Sequence, residues 1–88
     1  MRYMDTIEAA RLVTGVEITT TTGDVEYPGT AIEVADEHGE ELFHVVMDSS
    51  GERQVLLFAH SDNYRIPLAR LEKIVAIANE KVRLSPGL

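Results

Sequence analysis

Pro67-Leu-Ala-Arg-Leu-Glu-Lys-Ile-Val-Ala-Ile-Ala-Asn-Glu-Lys-Val82 carries its apolar residues at helical spacing. Leu68, Leu71, Val75, Ala78 and Val82 step by three and four, and Ile74 and Ile77 widen the stripe. Arg70, Glu72, Lys73, Asn79, Glu80 and Arg83 mostly fall on the other side. Pro67 is placed at the first helical position, where a missing amide hydrogen costs nothing. The run predicts one amphipathic helix over Leu68–Val82 whose apolar stripe needs a surface to cover. Burial of Leu71, Ile74 and Val75 would each contribute about 1.5–3 kcal/mol before chain entropy.

That surface lies immediately upstream. Thr30–Ala35, Leu42–Met47 and Gln54–His60 read as strands, separated by the turn signals Glu37-His-Gly-Glu40 and Asp48-Ser-Ser-Gly-Glu52. Short connections join antiparallel neighbours, which makes a meander. A two-residue turn at His38-Gly39 pairs Val34 with Phe43 and Ile32 with Val45. A turn centred on Ser50 pairs Val45 with Val55 and Phe43 with Leu57. Both registers put Ile32, Val34, Phe43, Val45, Met47, Val55, Leu57 and Ala59 on one face, and a one-residue slip in either would reverse every side chain. The helix is expected on that face.

Upstream again, Asp5-Thr-Ile-Glu8 has the capping-box spacing, Ala9–Val13 are good helix formers, and Gly15 suits a helix stop. A short N-terminal helix is expected there. Val16–Thr22 is β-branched and reads as an exposed edge strand, with Gly23-Asp24 and Val25–Tyr27 as a possible short return arm. The fold class is therefore α+β. It is an antiparallel β-meander of three long strands, extended by one or two short N-terminal strands, with the C-terminal amphipathic helix packed on one face. Eighty-eight residues predict one small domain over 1–88, with 85–88 as a frayed tail.

Composition narrows the function classes. Fifteen acidic residues against eight basic ones give a formal charge of −7, and the basic residues are scattered, so a phosphate backbone would be repelled and no nucleic-acid partner is expected. The chain has no cysteine, which fits a reducing compartment. The first residues lack the apolar core of a secretory signal, and no apolar run approaches the length of a membrane span. A cytoplasmic protein without a membrane contact is the expectation.

The second sheet face would carry Ala31, Glu33, Ala35, Leu42, His44, Val46, Leu56, Phe58 and His60. Leu42, Val46, Leu56 and Phe58 are too apolar for a fully solvated face. Either the N-terminal helix covers them through Ile7, Leu12 and Val13, or a partner does. Glu33 and His44 fall opposite each other on the same face, as a polar pair worth a few tenths to about 1 kcal/mol. Nothing near them reads as a nucleophile or oxyanion hole. His38, His44 and His60 match no metal-ligand spacing, the acidic turns lack the alternation of a calcium loop, and His60-Ser61-Asp62 are too close in sequence for triad geometry. No catalytic residue, metal or cofactor is therefore expected. The function expected is that of a small acidic, non-enzymatic interaction module that binds itself, as a homodimer, or another protein through Leu42, Val46, Leu56 and Phe58. The alternative is a small ligand-binding protein or enzyme using Glu33, His44 and His60 on that face.

Overall fold

A computed structural model describes residues 7–22 and 29–83. A helical turn over residues 7–9 (α1) leads into β1 (Arg11–Leu12). Then follow β2 (Val16–Thr22), β3 (Thr30–Asp36), β4 (Glu41–Met47), β5 (Arg53–Leu57), β6 (Tyr64–Arg65) and α2 (Leu68–Lys81). Strands β2-β3-β4-β5 form one antiparallel sheet in chain order, and β1 pairs with β6 in a separate two-stranded parallel ladder. The α+β meander with its C-terminal helix is thus present.

The expected register holds within the strands, while Ala59 falls beyond the end of β5. Ile32 pairs with Val45, Val34 with Phe43, Val45 with Val55, and Phe43 with Leu57. Ile32, Val34, Val45 and Met47 are buried against Ile74, Ala78 and Val82 of α2, with Val16, Ile18, Phe43 and Ile66 around them. This one-sided packing is what a half-buried antiparallel sheet requires.

The second turn is the loop expected around Ser50, but the first reaches its register by a different route from the one expected. Both are three-residue loops. Asp36 and Asp48 each accept from the glycine three residues on, and Gly39 and Gly51 sit at φ 84° and 87°, a conformation that favours glycine. A three-residue loop alone would shift β3 against β4 by one position. A β-bulge corrects it: Ala35 pairs with Glu41 while Val34 pairs with Phe43, so Leu42 is the extra residue.

The C-terminal end of α2 is anchored by β5 and β3. The Arg53 guanidinium donates from Nε to the Val82 carbonyl at 2.8 Å and from Nη2 to that of Asn79 at 3.0 Å. The Thr30 hydroxyl donates to the Lys81 carbonyl, and the Thr30 amide donates to that of Arg83 at 2.9 Å. These are the carbonyls that a helix end leaves without partners, and the cation also suits the negative end of the helix. Arg53→Ala should cost about 1–2 kcal/mol, read as a lowered urea midpoint with an unchanged slope.

Several expectations are corrected. The N-terminal helix does not run on to Val13: tertiary pairing overrides local propensity there. The Arg11 amide donates to the Asn63 carbonyl at 2.8 Å and that of Val13 to Arg65 at 2.9 Å, which draws Val13 into the interior as extended chain. Gly15 stops no helix and has no positive φ; its amide and that of Thr14 donate to the Glu37 carboxylate. Pro67 is the N-cap, not the first helical residue, with ψ 133°. The stripe of α2 is rotated toward Ile74, Ala78 and Val82, which leaves Val75 and Leu68 outside. The third strand ends at Leu57, short of His60. Asp5, the arm at Gly23–Tyr27 and the tail 85–88 lie outside the described residues.

Candidate functional site

A groove of about 630 Å³ opens where the β1–β6 ladder meets the bulged end of the meander. Leu42, Phe43, Leu57 and Phe58 form its apolar side, and Ala10, Val13 and Ile66 face them from the other. The bulge at Leu42 brings two consecutive apolar residues of β4 to this place. His60, Asp62, Tyr64 and Arg65 line the polar end.

That end is organised around Glu40, the residue that closes the first turn. Its carboxylate accepts from the Tyr64 hydroxyl at 2.7 Å, lies 3.1 Å from His60 Nδ1, and faces Arg11 at 3.7 Å. Arg11 also reaches Asp62 at 3.4 Å and lies over the Tyr64 ring, while the His60 and Tyr64 rings meet edge to face. The Tyr64 hydroxyl, opposed by burial and reinforced by His60, holds the Glu40 carboxyl below the ordinary glutamate range. The same bond raises the Tyr64 phenol. Because an ionised carboxylate can only accept, the Nδ1 of His60 carries the proton in this contact. Its Nε2 is shielded from solvent and has no partner among the described residues.

The sequence-derived residues divide between two places. Glu33 and His44 pair across β3 and β4 as expected. His44 Nε2, however, lies 3.2 Å from Glu41 Oε1, and the Phe58 ring makes a T-shaped contact with the imidazole at a centroid distance of 4.7 Å. His60 stands apart from that pair, with Glu40, and His38 is on an exposed turn beside Glu37. Of the four apolar residues of the second face, Val46 is 3 % exposed, Leu42 and Leu56 are half-buried, and Phe58 is at the groove. Asp62 contacts Arg11, not His60. The Glu40–Tyr64–Arg11 cluster was not legible from spacing, since it depends on the parallel β1–β6 ladder.

The two turn aspartates form a second electrostatic feature. Asp48 Oδ1 accepts from the Ser50 hydroxyl at 2.6 Å and from the amides of Ser50 and Glu52 at 2.9 Å, and Oδ2 accepts from Gln54 at 3.0 Å. The Ser50 hydroxyl foremost, then the Glu52 amide and Gln54, lower its carboxyl to about 2. For Asp36, burial opposes ionisation, but the amides of Glu40 and His38 outweigh it and hold its carboxyl below the ordinary value. A folded pKa below the unfolded one contributes stability above the unfolded value, near 4, and loses it as pH falls through the folded value. Stability should therefore fall between about pH 4 and 2, and Asp48→Asn should flatten the acid limb of a melting-temperature profile. An unchanged profile would contradict the assignment.

Comparison with protein-family models, curated proteins and solved structures found no match to this chain. Among the described residues no helix is long and apolar enough to cross a membrane.

Proposed function

We propose that this is a small acidic, non-enzymatic interaction module whose partner is a second copy of itself, joined through the free edge of β5. One observation carries the reading. The four most exposed large apolar side chains stand on β5 and α2: Leu57 at 79 % and Val55 at 55 % on the strand, Leu68 at 69 % and Val75 at 50 % on the helix. Arg53 reaches Asn79 and Val82 from β5, so the flank of α2 that carries Val75 and Leu68, two and four turns back from Val82 along the same side, is turned toward that strand. Among the described residues the opposite edge of β5 has no strand beside it. Such an edge is a template for pairing with another chain.

A second copy satisfies the chemistry on both sides. Antiparallel pairing about Val55 would set Val55 against itself and Arg53 against Leu57, a self-complementary arrangement with two-fold symmetry. In a chain of charge −7, Arg53–His60 contains no carboxylate, so two copies meet there without like charges opposed. Five residues of strand are too few for a stable interface of roughly 800 Å² per partner, which is why the helix flank must take part. A reducing compartment such as the cytoplasm fits a chain without cysteine.

The test is solution mass by light scattering on a size-exclusion column, through a dilution series. A species of twice 9.8 kDa that dissociates on dilution is expected. A 9.8 kDa species at every concentration would overturn the reading.

The groove favours a second reading, as a small ligand-binding protein using His60 with Glu40 at its polar end. It predicts that His60→Ala alters a ligand-induced melting shift, and a screen with no such shift counts against it.

A further inference from the structure

We propose that Glu33, Glu41 and His44 form a binding site for a divalent transition metal of the zinc class. Their three ligating atoms all lie within 4.8 Å of one another. Zinc holds imidazole nitrogen and carboxylate oxygen at about 2.0–2.2 Å, which sets neighbouring ligand atoms of a tetrahedral site about 3.3 Å apart. His44 Nε2 and Glu41 Oε1 are 3.2 Å apart.

The backbone explains why these three residues converge. Glu41 and His44 are three positions apart, an odd separation that puts side chains on opposite faces of a regular strand. The extra residue at Leu42 restores them to one face, the face on which Glu33 stands directly across from His44. The bulge that corrects the hairpin register therefore also assembles the ligand set. The Phe58 ring makes a T-shaped contact with the imidazole. Among the described residues neither Glu33 nor Glu41 pairs with a lysine or arginine, so a cation would not have to displace one.

The donor set chooses the ion. One imidazole with two carboxylates suits zinc and its neighbours, whereas calcium and magnesium prefer all-oxygen shells. Three protein ligands leave one position of a tetrahedral ion for water. Glu41 is half-exposed, which gives an ion a path in.

The experiment is isothermal titration of the full chain with Zn²⁺, with Co²⁺ absorption as a report on coordination and the imidazole ¹⁵N shifts as a report on which histidine is bound. One equivalent per chain is expected, with the His44 ring nitrogen shifting. Even loss of an outer-shell partner weakens metal sites 10–100-fold, so Glu41→Gln and His44→Ala should each weaken binding at least about tenfold. His38→Ala should leave it unchanged. Glu41→Gln guards against misfolding, because that side chain is half in solvent, and circular dichroism of His44→Ala checks the same point. The site does not depend on self-association, so Val55→Asp should bind Zn²⁺ equally. Absence of saturable binding, binding that survives both Glu41→Gln and His44→Ala, or binding lost with His60→Ala instead would each overturn the proposal.

Discussion

Ile74→Ala is expected to destabilise the protein by about 2–5 kcal/mol. Ile74 is buried at the centre of the contact between α2 and the sheet, among Ile32, Val34, Val45 and Met47. Truncation removes apolar burial and leaves a cavity that a sheet held by its own ladder cannot collapse to fill. A domain of this size has on the order of 5–10 kcal/mol in hand, so the variant should lie near the edge of folding. Urea denaturation followed by circular dichroism would read the loss as a lower midpoint. Val75→Ala, one residue on but half-exposed, is the control and should change the midpoint little. Equal effects at the two positions would mean that the helix is seated on a different stripe.

Val55→Asp is expected to abolish self-association and leave the monomer folded. The side chain is 55 % exposed, so a carboxylate there is hydrated in the monomer and costs little. In the proposed pair Val55 lies opposite its own copy, so two carboxylates would be opposed and desolvated, with truncation of a central apolar contact added to the loss. Light scattering should then report the 9.8 kDa chain at concentrations where the parent is paired. Phe58→Asp separates this surface from the one first inferred on the opposite side of the sheet. If Phe58→Asp dissociates the pair and Val55→Asp does not, the second face is the interface and β5 is not.

What the sequence disclosed and what it concealed divide along physical lines. The meander was legible because alternation and turn chemistry act locally, and because two hairpins demanded the same face of Phe43 and Val45. Its register was inferred correctly from an incorrect turn: the extra residue of the loop and the extra residue at Leu42 cancel, and alternation cannot distinguish two compensating insertions from none. The rotation of α2 was not legible, since Leu71, Ile74 and Val75 are equally apolar and only the position of β3 beneath them decides which is enclosed. A short N-terminal helix was legible, but its expected run to Val13 was not met, for a similar reason. The helical propensity is real, but the amides of Arg11 and Val13 find the carbonyls of Asn63 and Arg65, partners invisible at helical range. Glu33 opposite His44 was foreseen; Glu41 beside them was not, because only the bulge turns it to that face.

The parallel ladder of β1 with β6 has a consequence for the order of assembly. The loops within β3–β5 close over a handful of residues, so that unit can form quickly from neighbours in sequence. Arg11 and Tyr64 are more than fifty positions apart, and closing so long a span carries a larger entropic penalty for only two residues of pairing. The ladder should be the last element to dock and the first to detach, as a locally opening unit on a persistent meander. The groove exists only while it is docked, so the hollow beside Phe43 and Phe58 is a late and reversible product of folding.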